Sequence, residues 1–287
     1  MKKTTIGIIG YGVVGKATEE LFKRSTQVET ILKYDKFETS KNSGSLSEVL
    51  DKSTYVFLCL PTPFFKNSER IDLEAFEDVL DLINNDFPGK IVVVKSTVVP
   101  GTTALWSKTY ANTKFAFCPE FLTEANSLHD AKNPDRFIVG SNSDELNKSI
   151  VRLHSGLFDS CPKYFMCGST EAEIAKYASN CFLATKVIFA NEMSKVADHF
   201  GVSWNDQVAK LVTSDPRIGD SHFKVSTDKG FSGKCFPKDM IALLGLMKDL
   251  GIDSELLSTV WEKNKAIRTK HDWIDIPGVV TEKPNKV

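Results

Sequence analysis

Apolar and polar positions follow two rhythms along the first part of the chain. TTIGIIG, TILKYD, YVFLCL, KIVVVKS, KFAFCP and RFIVGS are short β-rich runs, several of them continuously apolar, as in parallel strands buried on both faces. Between them, GKATEELFKRS, SLSEVLDK, DLEAFEDVLDLINNDF and TTALWSKTY carry helical spacing with charged outer faces. This alternation predicts βαβ units in a doubly wound sheet with helices on both sides. A further helix over residues 143 to 158 leads into the strand-like KYFMCG.

From Ser169 the rhythm changes. STEAEIAKYASNCFLATKVIFANEMSKVADHFG has no Pro or Gly before Gly201, opens on a Ser/Thr cap followed by Glu, and predicts one long helix. SWNDQVAKLVTS, PKDMIALLGLMKDLG and SELLSTVWEKNKAIR add helices around the irregular DPRIGDSHFKVSTDKGFSGKC. The expected organisation is therefore an α/β domain over residues 1–167, an all-helical domain over 168–270 and a loose tail over 271–287.

Composition narrows the class. At 287 residues the chain suits about two domains of ~150 residues. With 41% hydrophobic and 25% charged residues it has the balance of a soluble globular protein, not a disordered or collagen-like chain. The 36 basic and 37 acidic side chains give no overall field for nucleic acid or an anionic membrane, so an anionic ligand must be met by local groups. No apolar run approaches the ~20 residues of a membrane helix, and MKKTTIGIIGYG reads as a strand, not a signal peptide. The six cysteines lack metal-ligand spacing and are too sparse for a disulfide scaffold, which predicts a cytoplasmic setting and no metal.

Chemistry enters at IGIIGYGVVGKA. Gly10, Gly12 and Gly15 form a GxGxxG directly after a strand and at the start of a helix. The first glycine permits the tight turn, the second the approach of backbone amides to a pyrophosphate, the third close helix–strand packing. Asp35 ends the next strand about 20 residues on, where a carboxylate accepts ribose hydroxyls and repels a 2′-phosphate. Together these predict a Rossmann-type domain that binds NAD rather than NADP. Lys36 leaves an opening for NADP, and a glycine turn in an unrelated α/β protein is the bland alternative.

LPTP at 60–63, KSTVVPGT at 95–102, CPEFLTEANSLHDAKNPDRFIVG at 118–140 and GFSGKCFPKD at 230–239 follow in fixed order, with AEIAKYASNCFLATKVIFANE at 172–192 and DPRIG at 215–219. With the glycine fingerprint, these islands resemble the UDP-glucose/GDP-mannose dehydrogenase family from Thr4 to about Arg268. The resemblance implies NAD-dependent, two-step oxidation of a sugar-nucleotide primary alcohol to a carboxylate, with UDP-glucose to UDP-glucuronate as the leading case, through an aldehyde held on a cysteine as thiohemiacetal and then thioester. Cys235 matches that nucleophile; Lys234 and Lys238 nearby in sequence favour its thiolate, and a buried structural cysteine is the bland alternative.

The remaining roles are likewise implied by the resemblance. Lys176 and Asn180, four apart and so on one helix face, match stabilisers of the substrate oxygen. Asp239 matches a residue that positions the catalytic water and lysine, or simply caps a helix starting near Met240. Glu120 matches the base of thioester hydrolysis, a role that needs a pKa lifted toward neutrality. Thr97 matches a threonine that binds the active-site water and lies by the cofactor. Val13, Val14, Pro61, Thr62, Glu124 and Lys238 complete the implied cofactor contacts. Phe121, Leu122, Gly230, Phe231 and Gly233 are implied substrate contacts. In relatives the long helix forms a homodimer, and the arginine matching Arg217 reaches toward the neighbouring subunit's nucleotide sugar.

The pattern also departs. Cys118 stands where the family has Asn, Ala125 where it has Gly, and Ser232 and Lys234 interrupt a loop usually richer in glycine. Relatives continue into a third α/β domain over the nucleotide, whereas no strand–helix alternation follows Arg268. The expectation is that the nucleotide is bound more openly, that another chain completes the site, or that the substrate is smaller. Two rivals remain: a single-step 6-phosphogluconate or hydroxyacid type of dehydrogenase, which needs no cysteine, and a non-catalytic NAD-binding dimer.

Overall fold

The computed structural model describes residues 3–66, 68–123 and 126–283. Strands are β1 (Thr4–Ile9), β2 (Val28–Tyr34), β3 (Tyr55–Leu58), β4 (Phe64–Phe65), β5 (Ile91–Val94), β6 (Lys114–Phe117), β7 (Arg136–Gly140), β8 (Lys163–Cys167) and β9 (Val280–Thr281). Helices are α1 (Val13–Phe22), α2 (Leu46–Lys52), α3 (Glu74–Asp86), α4 (Thr102–Thr109), α5 (Ser127–Lys132), α6 (Asp144–His154), α7 (Ser169–His199), α8 (Ala209–Thr213), α9 (Phe236–Asp249) and α10 (Glu255–Ile267). Two compact units result: Met1–Thr62 with Leu73–Lys176, and Pro63–Asp72 with Tyr177–Val287.

The first unit is built on a seven-stranded sheet in the order β2-β1-β3-β5-β6-β7-β8. The strands from β2 across to β6 pair in parallel, β7 runs antiparallel to β6, and β8 is parallel to β7. The sheet is therefore mixed, where the apolar runs predicted a parallel one; the connection from β6 to β7 carries only the short α5 and returns the chain in the opposite sense.

Alternation along the strands divides their side chains between two cores. Val56 and Leu58 pack with α2, α3 and α4 through Leu50, Phe76, Leu80 and Trp106. Phe57 and Cys59 face the other way, against Phe22 of α1 and Ile150 and Leu153 of α6. Ser45 and Glu48 form a capping box on α2, and Ser143 caps α6, so the polar residues before each apolar stripe fix where the helix starts.

The second unit takes the long helix from Tyr177 onward, a π-helical turn at Trp204–Val208, and α8 to α10. Its core joins Cys181, Ala184 and Ile188 to Phe231, Met240, Leu244 and Val260. Over residues 168–270 its regular elements are all helical, as expected; from outside that range β4 pairs in parallel with β9, and the Phe64 amide donates to the Val279 carbonyl at 2.9 Å. The stretch from His271, expected as a loose tail, is packed through Thr281. Trp273 and Val279 are almost fully buried with Phe64 and Ile241. Two-residue strands paired across more than 200 positions leave no periodic signal, which is why the expectation missed them.

Candidate active site

The first unit carries a nucleotide cradle where the strand order reverses, since β1 is flanked by β2 and β3. Gly10 has φ +91°, and a Cβ there would stand 2.5 Å from the Cys59 carbonyl oxygen. A Cβ on Gly15 would meet the Gly10 carbonyl oxygen, whereas one on Gly12 would meet nothing within 4 Å. The loop is thus closed toward the protein and open in front of the α1 N-terminus, which starts at Val13 with no acidic residue in its first turn. A pyrophosphate fits such a cradle.

Asp35 is partly buried beside it. Its Oδ2 accepts from the Tyr11 amide at 2.6 Å, and its Oδ1 accepts from the amides of Phe37 and Glu38 at 2.8 and 2.9 Å. Burial pushes its pKa up, but the three amides and nearby Lys16 outweigh that and hold the carboxyl below its usual range. It is therefore an ionised acceptor with lone-pair capacity left on Oδ2, as a ribose diol requires. Lys36 is exposed, Val13 is 40% exposed and Val14 is partly buried. Pro61 and the buried Thr62 follow β3; the buried Thr97 follows β5, where Ser96 Oγ donates to the Leu60 carbonyl at 2.6 Å and ties the two turns together. Glu124 lies outside the described residues, as does Ala125.

A second polar cluster of this unit surrounds Lys176, whose side chain is only 4% exposed. Its Nζ donates to the Glu120 carbonyl oxygen at 2.5 Å and lies 3.4 Å from Glu120 Oε1. Glu120 Oε2 accepts from the Leu122 amide at 2.6 Å, so that amide is already engaged. The Phe121 ring carries the Arg136 guanidinium at 4.0 Å and the Lys176 ammonium at 5.1 Å from its centroid. Arg136 is a contact of the CPEFL segment that the motifs did not single out.

In the second unit, Asp239 is 1% exposed and accepts from Asn180 Nδ2 and from Lys238 Nζ, both at 2.6 Å. Lys176 and Asn180 are one turn apart on α7, yet each makes these bonds within its own unit. Asp239 is not a helix cap: α9 starts at Phe236, Asp239 lies in its first turn, and Cys235 is the residue at the N-cap. Pro237 near the helix start stabilises a beginning earlier than expected.

Cys235 is exposed, whereas burial pushes Cys59 and Cys181 up to about 12 and raises Cys118. Those buried thiols are shielded from solvent, whereas Cys235 stands at the N-cap of α9. Lys238, expected to favour the Cys235 thiolate, is ion-paired with Asp239.

The loop before Cys235 is tied from afar. Asn264, fully buried, accepts from the Phe231 amide at 2.7 Å and donates to its carbonyl at 3.1 Å. Asn191 Oδ1 accepts from the Gly230 amide at 3.2 Å, Arg268 donates to the Lys229 carbonyl, and Ser232 donates to Asp272. Gly230 and Gly233 have φ +58° and +81°, so the turn suits glycine there. Phe231 is buried against Trp261, packed into the protein. Arg217 is highly exposed and chelates Asp215 with its Nε and Nη2. Sequence reasoning also missed Glu173, a fully buried carboxylate that accepts from the amides of Gly101 and Thr103 at 2.7 and 2.9 Å and so holds the start of α4 to α7.

A mixed Rossmann-type sheet with a phosphate cradle, followed by a helical unit with an exposed helix-terminal cysteine, defines a two-unit nucleotide-binding protein of the dehydrogenase type. The UDP-glucose/GDP-mannose dehydrogenase family matches twice, by its NAD binding domain over residues 25–158 and by its central domain over residues 170–266. The chain belongs to that family. It is 33% identical over 221 residues to the UDP-glucose 6-dehydrogenase of Rickettsia felis, covering 75% of this chain and 48% of that protein. The structure of a UDP-glucose dehydrogenase from Pyrobaculum islandicum superposes with a TM-score of 0.80 at 26% identity, over 92% of this chain and 68% of the other. A 3-hydroxyisobutyrate dehydrogenase of Mycobacterium tuberculosis shares the fold at 14% identity and TM-score 0.71, over 94% and 95% of the two chains. The chain spans about half the length of the curated relatives it matches. Among the described residues no helix is long and apolar enough to cross a membrane.

Proposed function

We propose that the chain oxidises the primary alcohol of a nucleotide sugar, UDP-glucose in the first place, to the carboxylate in two NAD-dependent steps. The observation that carries the reading is Cys235, exposed at the N-terminus of α9 with the Asp239–Asn180 pair in the same unit. Gly10, Gly12, Gly15 and the first turn of α1 hold the NAD pyrophosphate, Asp35 its adenosine ribose, and Pro61, Thr62 and Thr97 border it. NAD, when bound, supplies the hydride acceptor for both oxidations.

Lys176 and Asn180 hold the substrate oxygen as the alcohol passes its proton to an ordered water, and the ammonium stabilises the developing negative charge. The Cys235 thiolate adds to the aldehyde carbon; a C–S bond forms and the carbonyl oxygen takes a proton, giving a thiohemiacetal. Its oxidation leaves a thioester. Glu120 removes a proton from the attacking water, the C–S bond breaks, and the carboxylate leaves with the thiolate restored. Asp239 keeps Asn180 and Lys238 oriented. Lys36, exposed just past Asp35, borders the cofactor.

A homodimer along α7 belongs to the same proposal. It is supported by Ile174, Phe182, Phe189 and Val196, exposed at helical spacing on that helix, and by the exposed Phe200 just past its end, an unusual density of bare apolar side chains. Arg217 then exchanges Asp215 for the partner's substrate phosphate.

Limiting UDP-glucose with excess NAD tests the reaction. Two NADH per sugar and UDP-glucuronate as product are expected. One NADH per substrate, unaffected by Cys235→Ala, would establish the single-step rival instead.

A further inference from the structure

The glycine loop holds a side chain that the fingerprint leaves unspecified. Tyr11, between Gly10 and Gly12, is gripped at both ends. Its amide donates to Asp35 Oδ2, and its hydroxyl donates to Glu19 Oε2 on α1. Lys33 Nζ, on β2, donates to Glu19 Oε1 at 2.7 Å and lies 3.4 Å from the Tyr11 hydroxyl. The same ammonium stands 4.7 Å from the Tyr11 ring centroid, and that of Lys16 stands 5.7 Å from it. Tyr11 and Glu19 are buried.

Burial disfavours charge on Glu19 and on Lys33, yet their contact wins: Glu19 is held below its usual range and Lys33 above. The ion pair therefore persists at neutral pH. Lys33 lies in β2 and Asp35 directly past its last residue, so the end of this strand and the turn after it hold Tyr11 by ring and by amide.

We propose that Tyr11 is a positioning residue, braced by the Glu19–Lys33 pair, which locks the glycine loop and Asp35 in the NAD-receiving shape before the cofactor arrives. The brace rests on the NAD part of the reading above and not on the choice of sugar. Its effect is preorganisation: a loop already fixed loses less entropy on binding.

Titration calorimetry with NAD and amide hydrogen exchange test it on Tyr11→Phe, which keeps the ring and removes the hydroxyl. The NAD Kd rises about fivefold and exchange at the Tyr11 amide accelerates, while kcat at saturating NAD and the KM for the sugar nucleotide stay within about twofold. Lys33→Met weakens NAD binding similarly, and Lys33→Arg restores it. Unchanged Kd and exchange in both Tyr11→Phe and Lys33→Met overturn the brace. So does a parallel loss of NAD affinity, kcat and thermal stability, which marks a purely structural role. A wild-type protein that binds no NAD overturns the brace and the cofactor reading together. One that binds NAD but oxidises no sugar nucleotide sinks only the substrate reading, and the brace is then judged on Kd and exchange.

Discussion

Two glycine-bearing loops serve the proposed chemistry, and they are held in opposite ways. The loop at Gly10–Gly15 is fixed by what lies next to it: the strand it leaves, the helix it enters, and residues of β2 and α1 within about 25 positions. The loop at Gly230–Cys235 is fixed by Asn191, Asn264, Arg268 and Asp272, each 33 or more positions away. The first is a fold element that carries its own geometry. The second is an irregular segment whose geometry is imposed by side chains of other helices, so its shape depends on the packing of the second unit as a whole.

The units also differ in what they bury, and acid is the strongest way to separate them. In the first unit His154 is enclosed by Phe22, Phe57, Phe137 and Phe158. Burial, with Lys95 adding to it, lowers its pKa from 6.5 to about 3. A depressed histidine contributes stability that is present above pH 6.5 and is lost as pH falls toward 3, because only the unfolded chain takes up the proton in that window. The first unit is expected to lose up to about 5 kcal/mol across it. Urea unfolding at a series of pH values checks this, and His154→Leu flattens the slope.

Next come the two loops themselves. Gly10→Ala places a Cβ against the Cys59 carbonyl in a positive-φ conformation and costs about 3 kcal/mol, visible as a lower urea midpoint together with lost NAD binding. Asn264→Ala orphans the buried amide and carbonyl of Phe231 and costs about 2 kcal/mol. Here NAD affinity is unchanged while the alkylation rate of Cys235 shifts, since the loop is freed but the cradle is not. If Asn264→Ala altered NAD affinity as much as Gly10→Ala does, the contrast between local and remote support would be wrong. Gly12→Ala is the smallest in stability, within about 0.5 kcal/mol, because its Cβ meets nothing. Calorimetry is nevertheless expected to show weaker NAD binding, as the methyl would occupy the face the pyrophosphate approaches.

That contrast also explains what could be read along the chain. The glycines, Asp35 and the seven strands of the large sheet were legible because each depends on local periodicity or on spacing within one βαβ unit. The reversal of β7 was not, since the sense of a buried strand leaves no mark on its apolar run; nor were the pairing of β4 with β9 and the burial of Trp273, which depend on partners far along the chain. The same holds within the site. Cys235, Asn180 and Asp239 could be named from motifs, but the bond between Asn180 and Asp239 spans 59 positions, and the pairing of Lys238 with Asp239 had no spacing signature. Asn264 and Glu173 look like ordinary polar residues of amphipathic helices. Only complete burial distinguishes them.

The central claim is that the chain carries its substrate on Cys235. Glu120→Gln, which removes the base proposed for hydrolysis, should let the acyl-enzyme accumulate when the protein is given UDP-glucose and NAD. Intact mass with peptide mapping is expected to show a glucuronyl-nucleotide adduct on Cys235 and on none of the other five cysteines. Turnover of Glu120→Gln with no adduct, or an adduct that persists in Cys235→Ala, would contradict the claim.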